Sequence, residues 1–302
     1  MDDFEGVGID PALLDEIGAW SRRKHAILQE YSRAYGRIMS NAKRSVLRFE
    51  WDYVDGFAGA GLCREKETGE IVKGSALNSL EIEPPFSRFV FVELDPERYR
   101  TLRSQTIHVK EAECINGDAN VVLPRDVVPR YEFKKYRRAL VLLDPYQHKH
   151  LKWNTIRAIG ESGTMDLLLH FPTMPMNRGA LRRDGEVPPE EATAMAGFWG
   201  NDDWRAAAYV ARDGLFSDVG PEKATDLEFA AAFCERLKIG AGFHGTSPPI
   251  PMLNSNGATM YYLIFALPNQ TATDAATGVA KYFRKHPTAT GRHRGKSWSA
   301  AI

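Results

Sequence analysis

The sequence is poor in cysteine. Its 302 residues include only Cys63, Cys114 and Cys234, an odd and scattered set without a Cys-x-x-Cys pair. This usage argues against a disulfide framework and against a zinc or iron–sulfur site held by cysteines. It is typical of a protein kept in a reducing cytoplasm, which is the localisation we expect.

Long apolar runs are also missing. MDLLLHF (165–171) and MYYLIFAL (260–267) have the length of a strand, whereas a membrane-spanning helix needs about 20 apolar residues. The first residues, MDDFEGVGID, are acidic and lack the basic start and apolar middle of a signal peptide. The sequence therefore predicts neither a membrane span nor export.

An excess of either charge is absent as well, because 39 basic residues balance 39 acidic ones. The basic residues are nevertheless clustered in RYEFKKYRR (130–138), in HKHLK (148–152) and in a C-terminal arm, residues 281–302. Any one of these blocks could be an ordinary solvated face, but together they favour a polyanionic partner. The two histidines of HKHLK alternate with lysines, so we interpret them as basic surface and expect no metal site.

Apolar periodicity predicts the secondary structure. Helical spacing of apolar residues such as Trp20, Ile27 and Tyr31 predicts one or two amphipathic helices over residues 11–41. Beyond residue 50, strands and helices alternate. We predict strands at 50–56, 88–93, 111–116, 139–143 and 165–171, and helices at 75–82, 96–105, 153–161 and 226–238. Such alternation indicates an α/β fold with a parallel sheet covered on both faces.

Two later regions depart from this alternation. A strand at 248–253, the turn LNSNG and a strand at 259–267 predict a hairpin that adds an antiparallel strand to the sheet. Residues 174–225 do not fit the pattern and are interpreted as an inserted lid. We therefore expect an N-terminal helical segment, residues 1–45, followed by one α/β domain, residues 46–302.

A glycine-rich loop follows the first strand of the α/β domain, in VDGFAGAGLC (54–63). Such a loop leaves the carboxyl edge of the sheet, where doubly wound folds bind ligands, and Gly59 and Gly61 let the backbone approach a ligand closely. The pattern alone also occurs in turns that only pack. The following CREKETGEIVKG predicts a small inserted hairpin, after which Ser75 is expected to cap a helix.

Acidic residues stand at the ends of the next three strands. Glu93 is the last residue of FVFVE, and Asp118 lies in INGDAN. Asp144 is the first residue of Asp-Pro-Tyr, the last three residues of LVLLDPY. A carboxylate at the end of the second strand can bind a ribose diol, with Asp95 as the alternative to Glu93, and a short one at the end of the third strand can accept from the adenine amine. Each acid could instead cap a helix. Their succession after Asp55 favours a ligand that contains a nucleoside.

This order of motifs resembles a known family. DGFAGAG, Glu93, NGDAN and LLDPY resemble class I S-adenosylmethionine-dependent methyltransferases, and further segments resemble the three-Cys-motif partner proteins of bacteria and phages. Those segments are KHAILQEYSRAY, KGSALNSL, VFVELDP, LLDPYQHKHLKWNTI and DLLLHFP. The resemblance covers residues 20–180. It implies a Rossmann-like class I methyltransferase fold, a mostly parallel seven-stranded sheet with an antiparallel C-terminal hairpin strand and a helical insertion.

The resemblance implies S-adenosyl-L-methionine as the cofactor and gives each motif a role. The glycine loop would lie against the methionine end, with Asp55 turned toward the amino-acid group. Glu93 would hold the ribose and Asp118 the adenine amine, beside an apolar wall. The implied cofactor-binding set is Asp55, Gly56, Phe57, Ala58, Gly59, Gly61, Ser75, Glu93, Leu94, Asp118 and Ala119.

The acceptor site is expected at the ends of the fourth and fifth strands. Similar amino-methyltransferases hold the target nitrogen with Asn/Asp-Pro-Pro-Tyr/Phe, but the implied catalytic residues here, Asp144, Pro145 and Tyr146, are one proline short. Asp144 could therefore be a general base or a pocket wall instead. The implied substrate-binding residues are His170, Phe171, Arg178, Arg292, Arg294 and Lys296. The leading interpretation is methylation of an amino group of an extruded nucleic-acid base.

Other functions and partners stay open at this point. The chain could be a methyltransferase-like module that binds nucleic acid or a partner protein and transfers nothing. A nucleotide-dependent dehydrogenase is disfavoured, since no hydride-transfer constellation follows the second strand. The family resemblance also implies a companion protein with a cysteine triplet. DNA, RNA and protein all remain candidate acceptors.

Overall fold

The computed structural model of the protein describes residues 10–18, 20–45, 49–182, 186–210, 222–254 and 256–290. The strands are β1 (Asp15–Ile17), β2 (Glu50–Asp55), β3 (Leu62–Glu65), β4 (Ile71–Lys73), β5 (Phe89–Glu93), β6 (Ala112–Asn116), β7 (Arg137–Leu143), β8 (Met165–Phe171), β9 (Tyr209–Val210), β10 (Glu222–Lys223), β11 (Gly245–Thr246), β12 (Ile250–Leu253) and β13 (Thr259–Leu267). The α-helices are α1 (Trp20–Ser45), α2 (Ser75–Ser79), α3 (Pro96–Thr106), α4 (Ala119–Val122), α5 (Trp153–Glu161), α6 (Thr173–Arg178), α7 (Pro189–Trp199), α8 (Trp204–Ala208), α9 (Asp226–Gly240) and α10 (Gln270–Lys285). Strands and helices alternate from β4 to β8, as the sequence predicts.

A large central sheet has the strand order β11-β13-β8-β7-β2-β5-β6, with β12 paired to β13. The five consecutive strands β8, β7, β2, β5 and β6 are parallel to one another, whereas β13 is antiparallel to β8. The chain runs outward from β2 to β6 and then returns to β7 on the other side of β2, which makes a topological switch point there. The predicted Rossmann-like class I methyltransferase fold is confirmed.

The sheet has eight strands in the described part of the chain, one more than predicted. The extra strand arises because β11 and β12 are separate strands that pair with different parts of β13. β11 pairs with the end of β13, and β12 pairs with its first part. β12 and β13 form the predicted C-terminal hairpin. The antiparallel strand at this end of the sheet is thus confirmed.

Strand alternation divides the core into two layers. Val141 and Leu169 pack with α5 and α9 on one face of the sheet. Leu142 and Leu168 pack with α1 and α10 on the other. Both faces are therefore covered, as a parallel sheet requires. Because side chains alternate along a strand, the residues two positions beyond Leu142 and Leu168 belong to the α1 face.

The N-terminal region contains a short 3-10 helix (Pro11–Leu13), a strand and one long α-helix, and not one or two amphipathic helices over residues 11–41. β1 lies beside β3 in a parallel pair, and Gly18 separates it from α1. Glycine is a poor helix former, which explains why the helical pattern does not extend back through this position. Tyr31 of α1 is buried and donates a 2.5 Å hydrogen bond to Asp166 on β8, which fixes the helix across the sheet.

The segment between β2 and β5 contains the predicted small hairpin, since β3 and β4 pair antiparallel. The prediction that Ser75 caps the next helix is wrong. Ser75 is the first residue of α2, and Gly74 occupies the N-cap position without any side-chain hydrogen bond. α2 also ends at Ser79, earlier than the predicted residue 82.

The described part of the 174–225 insertion is packed into the core. Phe198 stacks on Phe233 of α9, and the buried Trp204 lies nearby in the same apolar cluster. His148, predicted as basic surface, is instead 2% exposed and packs edge-on against Phe198. Burial lowers the pKa of His148 to about 4, so this residue adds no surface charge at neutral pH.

The C-terminal helix α10 ends two residues before Pro287, as predicted from the inability of proline to continue a helix. The arm residues Arg292, Arg294 and Lys296 lie outside the described residues. None of the described helices has the length and apolar character needed to cross a membrane.

Candidate cofactor and acceptor site

The glycine-rich loop leaves β2 at the switch point, between the ends of β7 and β5. Gly56 N–H donates to the carbonyl oxygen of Leu142 at 3.0 Å, and Ala58 N–H donates to that of Val92 at 3.0 Å. A Cβ atom on Gly56 would lie 2.7 Å from Leu143 Cδ2. Gly59 and Gly61 have φ angles of +64° and +83°, a region that favours glycine. The path of the loop therefore requires all three glycines.

The Glu93 carboxylate joins this loop to the end of β5. Its Oε2 accepts from Gly59 N–H at 2.8 Å and its Oε1 accepts from Asp95 N–H at 2.8 Å. Each carboxylate oxygen has a second acceptor position, so Glu93 can accept from a diol while it holds the loop. The next residue, Leu94, is 67% exposed and offers an apolar surface at the same edge.

Asp118 is exposed at the end of β6 and caps α4. Its Oδ1 accepts from the backbone N–H of Asn120 at 2.8 Å and from the Asn120 side-chain amide at 2.9 Å. Within the described residues, Oδ2 accepts no hydrogen bond. The capping role and a ligand-binding role are thus compatible. Ala119 differs from expectation: its side chain is 3% exposed and packs in the core, whereas Leu94 is exposed.

Asp55 is fully buried where β2 enters the loop. Its Oδ1 accepts from Phe57 N–H at 3.0 Å, whereas Oδ2 has no hydrogen-bond partner in the described part of the chain. Burial raises the pKa of Asp55 to about 6, against the opposing influence of the Ser75 hydroxyl and the Phe57 N–H. Phe57 itself packs against the core, and Ala58 is buried. An unpartnered buried carboxylate oxygen favours a cationic donor at this position.

Asp144 is surrounded by side chains from three other elements. Its Oδ1 lies 2.6 Å from Nδ1 of His170, and its Oδ2 accepts from the ammonium group of Lys24 on α1. His170 is its neighbour because β7 and β8 pair Leu143 with Leu169. The Tyr261 ring of β13 lies on the imidazole, with ring centroids 3.9 Å apart. We refer to Lys24, Asp144, His170 and Tyr261 as the acceptor cluster.

Electrostatics keep Asp144 and Lys24 of this cluster charged. Burial opposes ionisation of Asp144, but Lys24 and the hydrogen bond with His170 outweigh it and hold the pKa of Asp144 well below its ordinary value. Burial likewise lowers the pKa of Lys24, but Asp144 outweighs it and raises this pKa above its ordinary value. Burial and the Lys24 charge lower the pKa of the neighbouring His25 to about 4. At neutral pH the cluster contains an ammonium–carboxylate pair beside a neutral His25.

The remaining predicted acceptor residues are dispersed. Pro145 is buried, and Tyr146 is 79% exposed at the rim of the acceptor cluster. Arg178 is exposed at the end of α6. Phe171 is fully buried and packs against Phe233, because it points to the opposite face of the sheet from His170. Phe171 is thus a core residue, and the structure does not bring it together with His170 in the acceptor cluster.

Lys24, His25 and Tyr261 are absent from the site residues predicted from the sequence. A signal for the first two was present, since a Lys-His pair opens KHAILQEY on an otherwise amphipathic helix. Tyr261 lies in a strand of apolar residues, TMYYLIFAL, and gives no comparable signal. No cluster of residues suited to bind a metal ion occurs in the described ranges.

The chain was compared with known families, curated proteins and solved structures. No family model matches the chain, and no curated protein matches it. A Legionella pneumophila protein of the family model DUF519 is similar to 88% of this chain over 91% of its own, with 12% identity and a TM-score of 0.45. Trm1 from Pyrococcus horikoshii, in complex with S-adenosyl-L-methionine, is similar to 85% of this chain over 55% of its own, with 12% identity and a TM-score of 0.43.

Fibrillarin from Aeropyrum pernix, with natively bound S-adenosyl-L-methionine, is similar to 73% of this chain over 68% of its own, with 12% identity and a TM-score of 0.38. Nothing in these similarities is specific to the three-Cys-motif partner proteins. Similarities at this level concern the fold. A function has to be argued from the side chains of the site.

Proposed function

We propose that the protein is an S-adenosylmethionine-dependent methyltransferase that acts on an amino group of a nucleic-acid base. The observation that supports the cofactor most directly is the hydrogen bond from Gly59 N–H to Glu93 Oε2. It brings the bare loop and the diol-binding acid to one edge of the sheet, at the switch point where doubly wound folds bind nucleotides.

The described residues fit the groups of the cofactor. Glu93 has free acceptor positions for the ribose hydroxyls, and the exposed Leu94 side chain suits one face of adenine. Oδ2 of Asp118 suits the exocyclic amine, and the unpartnered Oδ2 of Asp55 suits the ammonium of the methionine group. When bound, the cofactor supplies an electrophilic methyl group.

The acceptor cluster lies on the other side of the switch point, next to Asp55. Asp144 is close enough for its charge to contribute to the raised pKa of Asp55. Tyr146 lies two residues after Asp144 in the sequence, and its ring is exposed. An exposed ring suits stacking with an unpaired base, because every base has an aromatic face. A base in this position has to leave its helical stack, as enzymes that modify bases require.

The cofactor assignment can be tested with Asp118→Asn. Asparagine caps a helix as well as aspartate does, so α4 should be retained. The amide nitrogen at the former Oδ2 position would face the donor amine of adenine, and calorimetric affinity for S-adenosylmethionine should fall. Asp202→Asn, at an exposed residue of the insertion, is the matched control. Equal affinity in both variants would contradict the placement of adenine.

The reaction can be tested by incubating the protein with S-adenosylmethionine labelled in its methyl group and with separate DNA, RNA and protein fractions. The assays should be run with and without a protein that has a three-Cys motif. We expect label in a nucleic-acid fraction. Label in the protein fraction alone would contradict the base as acceptor.

The basic arm provides a separate test of the polymer. Changing Arg292, Arg294 and Lys296 to alanine should weaken nucleic-acid binding and flatten its dependence on salt, because fewer counterions are released. Cofactor affinity should not change. A triple variant with the affinity and salt slope of the parent on every polymer would remove the arm from the binding surface.

A methyltransferase-like binding module is the second candidate, and one observation favours it. Both oxygens of Asp144 are already engaged, by Lys24 and by His170, so Asp144 is not free to hold an amine as the sequence motif suggested. Polymer binding without methyl transfer, at saturating cofactor and on every fraction, would support this second function.

A further inference from the structure

Asp144 is poorly suited to remove a proton from a substrate. Its two oxygens face Lys24 and His170, and its side chain is 18% exposed. Protonation would break a buried ion pair and leave the Lys24 ammonium without its counterion, which is costly at such a site. A carboxylate held in this way is a weak base, since a general base works best when its pKa lies near the operating pH.

His170 has the opposite arrangement. Asp144 is ionised and can only accept, so the proton of a neutral imidazole lies on Nδ1 and the lone pair on Nε2. Within the described residues, Nε2 makes no hydrogen bond. The ring is held on one side by Asp144 and on another by Tyr261. Nε2 is therefore a fixed acceptor in a side chain that is 15% exposed.

Asp144 is also placed to assist His170 when a proton arrives at Nε2. Its Oδ1 faces Nδ1, where a carboxylate can stabilise the positive charge that such a transfer creates on the ring. Burial raises the pKa of Tyr261 and lowers that of His25, so both stay neutral. Lys24 is the opposing cation, and its contact with Asp144 Oδ2 leaves Oδ1 to the imidazole.

From this geometry we propose that His170 Nε2, and not Asp144, accepts the proton of the methyl acceptor, with Asp144 and Lys24 as positioning residues. The inference rests on the proposed methyltransferase function. The lone pair of the acceptor nitrogen forms the bond to the methyl carbon, the electron pair of the broken carbon–sulfur bond stays on sulfur, and the acceptor's proton passes to Nε2. The acceptor must therefore bear an N–H that the transfer makes acidic.

The first test needs no methyl transfer. Nitrogen-15 spectra of histidine-labelled protein, free of ligand and above the pH at which His170 is protonated, should show a proton on Nδ1 and none on Nε2 of His170. Asp144→Ala should reverse this preference, whereas Asp144→Asn should keep it through its amide oxygen. A proton on Nε2 of the parent protein would overturn the inference.

The second test separates chemistry from binding. His170→Gln should lower the single-turnover rate of methyl transfer by about 100-fold or more, with calorimetric affinity for S-adenosylmethionine unchanged. His108→Gln, at an exposed residue after α3, is the matched control. Asp144→Asn should show an intermediate rate, because it keeps the tautomer and loses the charge.

The outcomes distinguish the two hypotheses. Transfer by His170→Gln at the parental rate would overturn the role of His170 and leave the methyltransferase function intact. Absence of transfer by the parent on every polymer, with the cofactor bound, would overturn the proposed function and this inference together. If His170→Gln does not fold, the position of the imidazole proton in the parent and in Asp144→Asn still tests whether Nε2 of His170 is free to accept a proton.

Discussion

Replacing Glu93 with glutamine removes one charge at the point where the glycine loop, β5 and the expected ribose meet. The parent carboxylate accepts from Gly59 N–H and from Asp95 N–H, both at 2.8 Å. The glutamine amide has one oxygen, so one of these backbone donors must face an NH₂ group. A fully buried donor left in this way costs about 1–3 kcal/mol, and these two donors are partly buried.

Two measurements follow from Glu93→Gln. Urea denaturation should show a free energy of unfolding that is lower by about 1–3 kcal/mol, the cost of the unsatisfied N–H. Affinity for S-adenosylmethionine should fall further, because hydrogen bonds to a charged acceptor contribute about 1.5–3 kcal/mol. Titration calorimetry on the folded variant should therefore show a dissociation constant about 10- to 100-fold higher than that of the parent.

Glu97→Gln is the matched control for this experiment. Glu97 lies in the first turn of α3, four residues away, and its side chain is 62% exposed and paired with Arg100. Its replacement should leave both the stability and the affinity close to those of the parent. If Glu93→Gln binds the cofactor as tightly as Glu97→Gln, the ribose does not lie against Glu93 and the site has been placed wrongly.

Three further predictions arise from other contacts. Burial raises the pKa of the Asp55 carboxyl to about 6, so this group is protonated at lower pH. Cofactor affinity measured by calorimetry should therefore fall about tenfold from pH 7 to pH 5. An unchanged affinity would count against an ammonium group of the cofactor at Asp55. Tyr146→Ala should raise the KM for an oligonucleotide without altering cofactor affinity, since the ring is 79% exposed; an unchanged KM would exclude stacking. Arg137→Met should lower the free energy of unfolding by about 3–5 kcal/mol, because it leaves the fully buried Asp52 carboxylate without its cation. A loss below about 1 kcal/mol in urea denaturation would show that Asp52 does not need this partner.

The central strands and helices could be predicted closely from the sequence. Both ends of β8 and of α5 agree with the predicted ranges 165–171 and 153–161. These elements are recognisable because strands buried on both faces consist of nearly continuous apolar residues, and helices show apolar spacing of 3.6 residues. The glycine loop and the acids at the strand ends were identified for the same reason, as interruptions of apolar runs.

The partners of Asp144 could not be predicted in this way. Its contact with Lys24 joins residues 120 positions apart, and no local pattern states where α1 crosses the sheet. Phe171 is a different case. Its position next to His170 at the end of β8 suggested a shared role, but alternation along a strand already implies that neighbours point to opposite faces. Applying that rule to the motif would have placed Phe171 in the core.

The acceptor cluster draws its residues from distant parts of the chain, and this has a consequence for biosynthesis. A ribosome delivers Lys24 first, then Asp144 and His170, and Tyr261 only with the last strand of the sheet. Contacts between such distant positions form late, since a long loop has to close before they are made. The glycine loop and its neighbouring acids lie between residues 55 and 118, and the loop also needs Leu142 of β7, so all of these groups are synthesised well before Tyr261. A chain interrupted anywhere before β13 would lack a complete acceptor cluster, which confines any methyl transfer to molecules whose synthesis has passed that strand.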